Sequence, residues 1–136
     1  MRRTRLSRKT KLRSKYRPQV KELDALCRQV VFARDGHRCC KTGRTDNLQW
    51  AHVYSRRYRT LRWDPDNSLC LNAGAHLEAH HRPLEFASWF EAAFPGRAKR
   101  LRLLMQTKAK VDLAALKLWL EQQLAGSPAS CAPPPL

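Results

Sequence analysis

The chain has 136 residues (15.8 kDa), with 27 Lys and Arg against 11 Asp and Glu, a formal charge of +16 and a pI near 10.6. That length is one ordinary domain. No apolar run approaches the roughly 18 residues of a membrane span, and the basic N-terminus lacks the apolar segment of a secretory signal, which excludes a membrane protein and argues against a secreted one. A hydrophobic fraction of 43% is enough for a packed core, and the excess positive charge makes a polyanion, nucleic acid first, the expected partner.

Residues 1–17 carry nine basic residues and no acid: Arg2, Arg3, Arg5, Arg8, Lys9, Lys11, Arg13, Lys15 and Arg17. With no helical period to bury, this segment reads as a loose arm that follows phosphates. Val20, Leu23, Leu26, Cys27, Val30 and Val31 then recur at helical spacing and predict an amphipathic helix over 19–34, stopped by Asp35-Gly36. A turn-rich stretch runs to Asn47. Leu48 to Tyr54 alternates and predicts a short strand. A basic loop with Arg56, Arg57, Arg59 and Arg62 closes in the turn Asp64-Pro65-Asp66, and Ser68 to Leu71 predicts a second strand.

Ala73 to His81 predicts a short helix, and three more follow. The first carries Leu84, Ala87, Trp89, Phe90 and Phe94 and is broken by Pro95-Gly96; the second carries Ala98, Leu101, Leu104 and Met105. The third starts at the N-cap Asp112 and carries Leu113, Leu116, Trp119, Leu120 and Leu124. The packed domain is therefore expected over 18–125. A disordered Pro-rich tail, 126–136, would hold Cys131. The five cysteines are odd in number and irregular in spacing, which predicts reduced thiols.

All five histidines lie between 37 and 81. His76 and His80 are one helical turn apart and share a face, so two imidazoles could hold one divalent cation. A histidine at the strand, His52, could then activate a water beside that cation. The pair alone is weak evidence; with a strand His and a turn Asn in a very basic chain it is stronger.

In that combination Leu48 to Pro83 resembles the ββα-metal finger of HNH nucleases, with His52, Asn67 and His76 as the three named letters. Three segments, Gln49 to Arg57, Leu61 to Asn67 and His80 to Phe86, are further similar to phage recombination endonucleases of the NinG type. The resemblance covers roughly residues 20–120 and is most specific over 48–90. It implies an α+β fold, a finger with a short two-stranded hairpin packed among several helices. The implied activity is metal-dependent hydrolysis of DNA phosphodiester bonds in branched substrates such as Holliday junctions. The implied setting is a phage or prophage recombination factor in bacterial cytoplasm.

By the same resemblance His52 is the general base, its ordinary pKa near 6.5 suiting neutral pH. His76 and His80 hold one metal ion (Mg2+ or Mn2+ first, Zn2+ or Ni2+ as alternatives). Asn67 fastens the loop and orients His52. Arg56 clamps phosphate, and Arg57, Arg59, Arg62 and the arm bind nucleic acid. A homodimer would suit the cutting of two strands. His81 reads as a surface or supporting group and His37 as structural.

Two departures stand out. Ala51 precedes the base where many relatives have Asp or His as a further ligand. Two CxxC pairs that bind a structural zinc in many relatives would fall at 39, 42, 72 and 75; here these are Cys39, Thr42, Asn72 and Ala75. Loss of three positions together predicts no zinc knuckle; the alternative is a rearranged site using Cys39 or Cys40 with Cys70 and His37. Two rival functions share these residues, a phage nicking or packaging-associated endonuclease and a decayed module that only grips nucleic acid.

Overall fold

The first helix, α1, runs from Leu6 to Arg34 in a computed structural model that describes the backbone of residues 6–126 and the side chains from Gln19 onward. The helix thus begins well before the expected residue 19, with Leu6 to Arg17 as helical backbone, while residues 1–5 of the expected arm lie outside the described residues. Leucine, lysine and arginine are good helix formers. A turn nucleated by the packed part of α1 can propagate into such a run without an apolar face of its own. Arg8, Lys9, Lys11 and Arg13 thus belong to α1; Arg2, Arg3 and Arg5, and the tail from Ser127 with Cys131, lie outside the described residues. Gly36 (φ +69°) and His37 (φ +53°) end the helix in left-handed backbone, the conformation glycine adopts without cost.

The strands are β1 (Leu48–His52) and β2 (Ser68–Asn72), antiparallel, with Trp50 opposite Cys70 and His52 opposite Ser68. β1 stops at His52, two residues short of the expected strand. All five residues of β2 are buried. A two-stranded sheet has two open edges, and the outer edge of β2 is closed by other parts of the chain. Asp35 accepts from the Cys70 N–H at 2.9 Å, Cys40 N–H donates to the Cys70 carbonyl at 3.0 Å, and Arg34 donates to the Ser68 carbonyl at 2.9 Å.

The 53–67 connection holds a one-turn helix, α2 (Arg59–Arg62), and a 3-10 turn, Pro65–Asn67, capped by Asp64. Then follow α3 (Ala73–His81), α4 (Pro83–Ala93), α5 (Arg97–Gln106) and α6 (Leu113–Leu124). The described residues are therefore α+β, six helices around one antiparallel strand pair. Among the described residues no helix is long and apolar enough to cross a membrane.

Two apolar clusters form around the strand pair. Ala51, Leu61, Leu69, Leu71 and Ala75 pack with Phe90 and Leu101 from α4 and α5. Leu23, Cys27, Val30 and Val31 of α1 pack with Trp63 and with Leu116 and Leu120 of α6. Two of the four positions at which the resemblance would put zinc ligands are built into this packing. Cys39 and Ala75 lie in the first cluster, and Asn72 caps α3 by accepting from Gly74 N–H at 2.9 Å. Thr42, at the fourth, donates its N–H to the Cys39 sulfur at 3.4 Å.

Phe90 is 1% exposed at the meeting of α4, α5 and the strands, whereas Leu84 is 85% exposed. Phe90→Ala should cost about 3–5 kcal/mol and Leu84→Ala less than about 0.5 kcal/mol in denaturant unfolding. Equal effects would contradict this core.

Candidate active site

His52, His76 and His80 line one cavity of about 320 Å³, whose floor is apolar and includes Ala51, Leu71 and Phe90. Each histidine arrives by a local rule. His52 is the last residue of β1, at the point where the chain leaves the sheet. His76 and His80 share one face of α3, whose start is set by the Asn72 cap.

The Nε2 atoms of His76 and His80 face each other at 3.2 Å. In a tetrahedral or octahedral site with metal–nitrogen bonds of about 2.0–2.1 Å, neighbouring nitrogens sit about 2.8–3.4 Å apart, so this spacing fits a shared cation. Gln49 Oε1 accepts from His76 Nδ1–H at 2.7 Å. An amide oxygen is only an acceptor, so this hydrogen bond puts the His76 proton on Nδ1 and turns its Nε2 lone pair to His80, where it accepts that ring's Nε2–H or, with the proton moved, is open to a cation. Burial lowers the His76 pKa, and the neighbouring His80 lowers it further, which keeps the ring neutral. Among the described residues no group of three or more His, Cys, Asp or Glu converges on one point. His37 and His81 are exposed, and His37 meets Phe32 edge-on.

His52 Nε2–H donates to the Arg62 carbonyl at 3.2 Å, so Nδ1 carries the lone pair. The ring lies against Trp50, 4.2 Å between centroids. Burial pushes its pKa down from 6.5 to about 4; the Arg56 and Arg62 charges push the same way, against the Arg62 carbonyl and Asp24. The ordinary value near 6.5 expected from sequence is thus corrected. The imidazole is neutral and able to accept a proton at pH 7, but it is a weaker base than a solvated one.

Asn67, 0% exposed, ties the connection together. Its Oδ1 accepts from Tyr54 N–H, and its Nδ2 donates to the carbonyls of Tyr54 and Leu61. Arg56 and Arg59 are exposed around this connection, and Arg57 donates to the Tyr58 hydroxyl at 2.8 Å. Arg62 departs from the expectation of a phosphate-binding role. Its guanidinium pairs with both oxygens of Asp24, at 3.0 and 2.8 Å, and is committed within the fold.

Two residues of this site escape a reading of the sequence. Gln49 stands on the same strand face as Ala51, a clue in the strand period. Asp24 falls between Val20 and Cys27 on the apolar face of α1, where an acid demands a partner. No family model, curated protein or solved structure matches the chain.

The pKa of His52 carries a stability prediction. Between about 4 and 6.5 the unfolded chain holds the His52 proton and the folded chain does not. Its contribution is therefore fully present above 6.5 and is lost as pH falls toward 4. Melting temperatures of His52→Gln should fall less steeply than wild type across that window; parallel curves would show that burial does not govern this group.

Proposed function

We propose that the chain is a divalent-metal-dependent DNA endonuclease of the HNH type, acting on branched, recombining DNA. The observation that carries this reading is the facing pair of His76 and His80 nitrogens at 3.2 Å on the same cavity as a neutral His52, in a chain of formal charge +16. The β-β-α order of β1, β2 and α3 supports it, as does the buried Asn67 between the strands.

In this reading His52 Nδ1 takes a proton from a water whose oxygen attacks phosphorus. The new P–O bond forms as the bond to the 3′ oxygen breaks, and that oxygen leaves as the alkoxide and is then protonated by solvent. The Nε2–H bond to the Arg62 carbonyl holds the ring through this transfer and favours the cationic form as it develops. His76 and His80 would hold a divalent cation, whose chemistry there would be to neutralise the charge that develops on the phosphate. Gln49 keeps the His76 Nε2 lone pair turned toward His80, and Asn67 keeps the connection in register. Arg56, Arg57 and Arg59 lie where phosphate oxygens would approach, and the basic first turns of α1 extend that attraction. The corresponding biology is a phage or prophage recombination nuclease in bacterial cytoplasm, with a homodimer suited to paired cuts.

Ala51, 4% exposed in the cavity wall, offers no ligand and favours a second reading, a module that grips DNA without cutting it. Incubation with a four-way junction, a nicked duplex and a linear duplex, each with and without Mg2+ or Mn2+, separates these. Metal-dependent cleavage of the junction supports the first reading. Preference for the duplex substrates points to a nicking or packaging nuclease, and binding without cleavage to the second reading.

His52→Ala should lower the cleavage rate by about 10²- to 10⁴-fold, as removal of a general base does, with DNA binding nearly intact. His80→Ala should also cripple cleavage, but higher metal concentration should partly restore it and leave His52→Ala unrestored. An identical metal response in both variants would make His52 a ligand and not the base.

Deleting residues 1–17 lowers the formal charge from +16 to +7. The salt dependence of DNA binding should become shallower by about 0.9 for each phosphate that the shortened chain no longer neutralises. An unchanged slope would remove this segment from the interface.

A further inference from the structure

The oxygen that holds His52 belongs to the peptide between Arg62 and Trp63, and both residues of that peptide are gripped by one carboxylate. Asp24, from the middle of α1, takes Arg62 Nε and Nη2 at 3.0 and 2.8 Å and the Trp63 indole N–H at 2.8 Å. Trp63 is 1% exposed, packed between α1 and α6, and Arg62 lies over its ring at 5.5 Å. The peptide is also braced from its N-terminal side, where the Leu61 carbonyl accepts from Asn67 Nδ2 and Asp64 N–H. A carboxylate accepting three charge-assisted or indole donors in fixed directions is a stiff anchor, and its donors leave the peptide plane little freedom to rotate.

We propose that Asp24 is a positioning residue for the base: by clamping the 62–63 peptide it aims the Arg62 carbonyl at His52 Nε2–H, and so selects the tautomer that leaves Nδ1 free. The proposal rests on the reading of His52 as the base, and extends it to a residue 28 positions earlier that touches neither DNA nor metal. Arg62 is accordingly part of this support and is withdrawn from phosphate binding. Asp24→Asn keeps an oxygen for Trp63 and loses the charged two-point grip on Arg62, so the peptide regains its rotation while the α1 surface keeps its shape.

The test has an arm that needs no enzymatic activity. Nitrogen NMR of the imidazoles at pH 7 should show His52 as a single Nε2–H tautomer in the full chain and as a mixture of tautomers in Asp24→Asn. Unchanged His52 resonances would overturn the proposal whether or not the protein cuts DNA. In the activity arm, Asp24→Asn should lower kcat on junction DNA by about 10- to 100-fold, the scale of a small misplacement of a reacting group, with KM little changed. Placed in His52→Ala, the same substitution should change the residual rate less than twofold, because the group it aims is gone. An equal loss in both backgrounds, or a loss confined to KM, would make Asp24 a general stabiliser of the fold and overturn the positioning role. If wild type fails to cleave any substrate, the nuclease reading falls, and the tautomer measurement still decides the clamp.

Discussion

A carboxamide with no access to water must find its hydrogen bonds inside the protein or destabilise the fold by a few kcal/mol. Asn67 meets that demand with Tyr54 on one limb of the inter-strand connection and Leu61 on the other, while its own carbonyl accepts from Val53 N–H at 2.7 Å. The fifteen residues between the strands therefore have one closed form. His52 leaves the sheet just before that closure, and the Arg62 carbonyl follows Leu61 directly. The position of the one imidazole relative to the other two depends on this buried side chain before it depends on any charge.

Charge is distributed with comparable economy. The acids are few and several stand at joints: Asp24 on Arg62, Asp35 on Arg34 and the Cys70 N–H, Asp64 and Asp66 on Arg100. Each joint neutralises a cation that would otherwise add to the self-repulsion of a chain at +16. Asp64 shows the cost. Burial raises its pKa although Arg100 pulls the other way, and the guanidinium it pairs with still meets solvent. Arg56, Arg57 and Arg59 pair with no acid among the described residues and stay exposed on the connection between the strands. The surface field is set as much by where the acids are used as by the excess of bases.

Elements with local signals are legible in the sequence. Asp112 caps α6 by accepting from Ala115 N–H at 3.1 Å, Pro95-Gly96 separates α4 from α5, and Asp35-Gly36 ends α1. The strands follow from alternation, and the turn to helical spacing after Asn72 places His76 and His80 on one face. Features that depend on remote partners are not legible. Arg62 finds Asp24 38 residues away, and His76 finds Gln49 27 residues away. The depressed pKa of His52 comes from burial under elements that a local pattern cannot assemble. The start of α1 is misread from sequence because net charge and helix propensity point in opposite directions there, and propensity prevails in the backbone.

The second apolar cluster joins the two ends of the described chain, α1 near the start and α6 at residues 113–124. Leu23, Cys27 and Trp63 have no lid until Leu116 and Leu120 arrive, so a nascent chain on the ribosome exposes this face until α6 has been made. Closure between such distant segments is the slow, entropically expensive part of folding. Trp63 is one of the three groups on Asp24, so the support under His52 stays unfinished over the same interval. Assembly order alone would thus leave the Asp24 clamp incomplete until α6 has emerged and packed against α1.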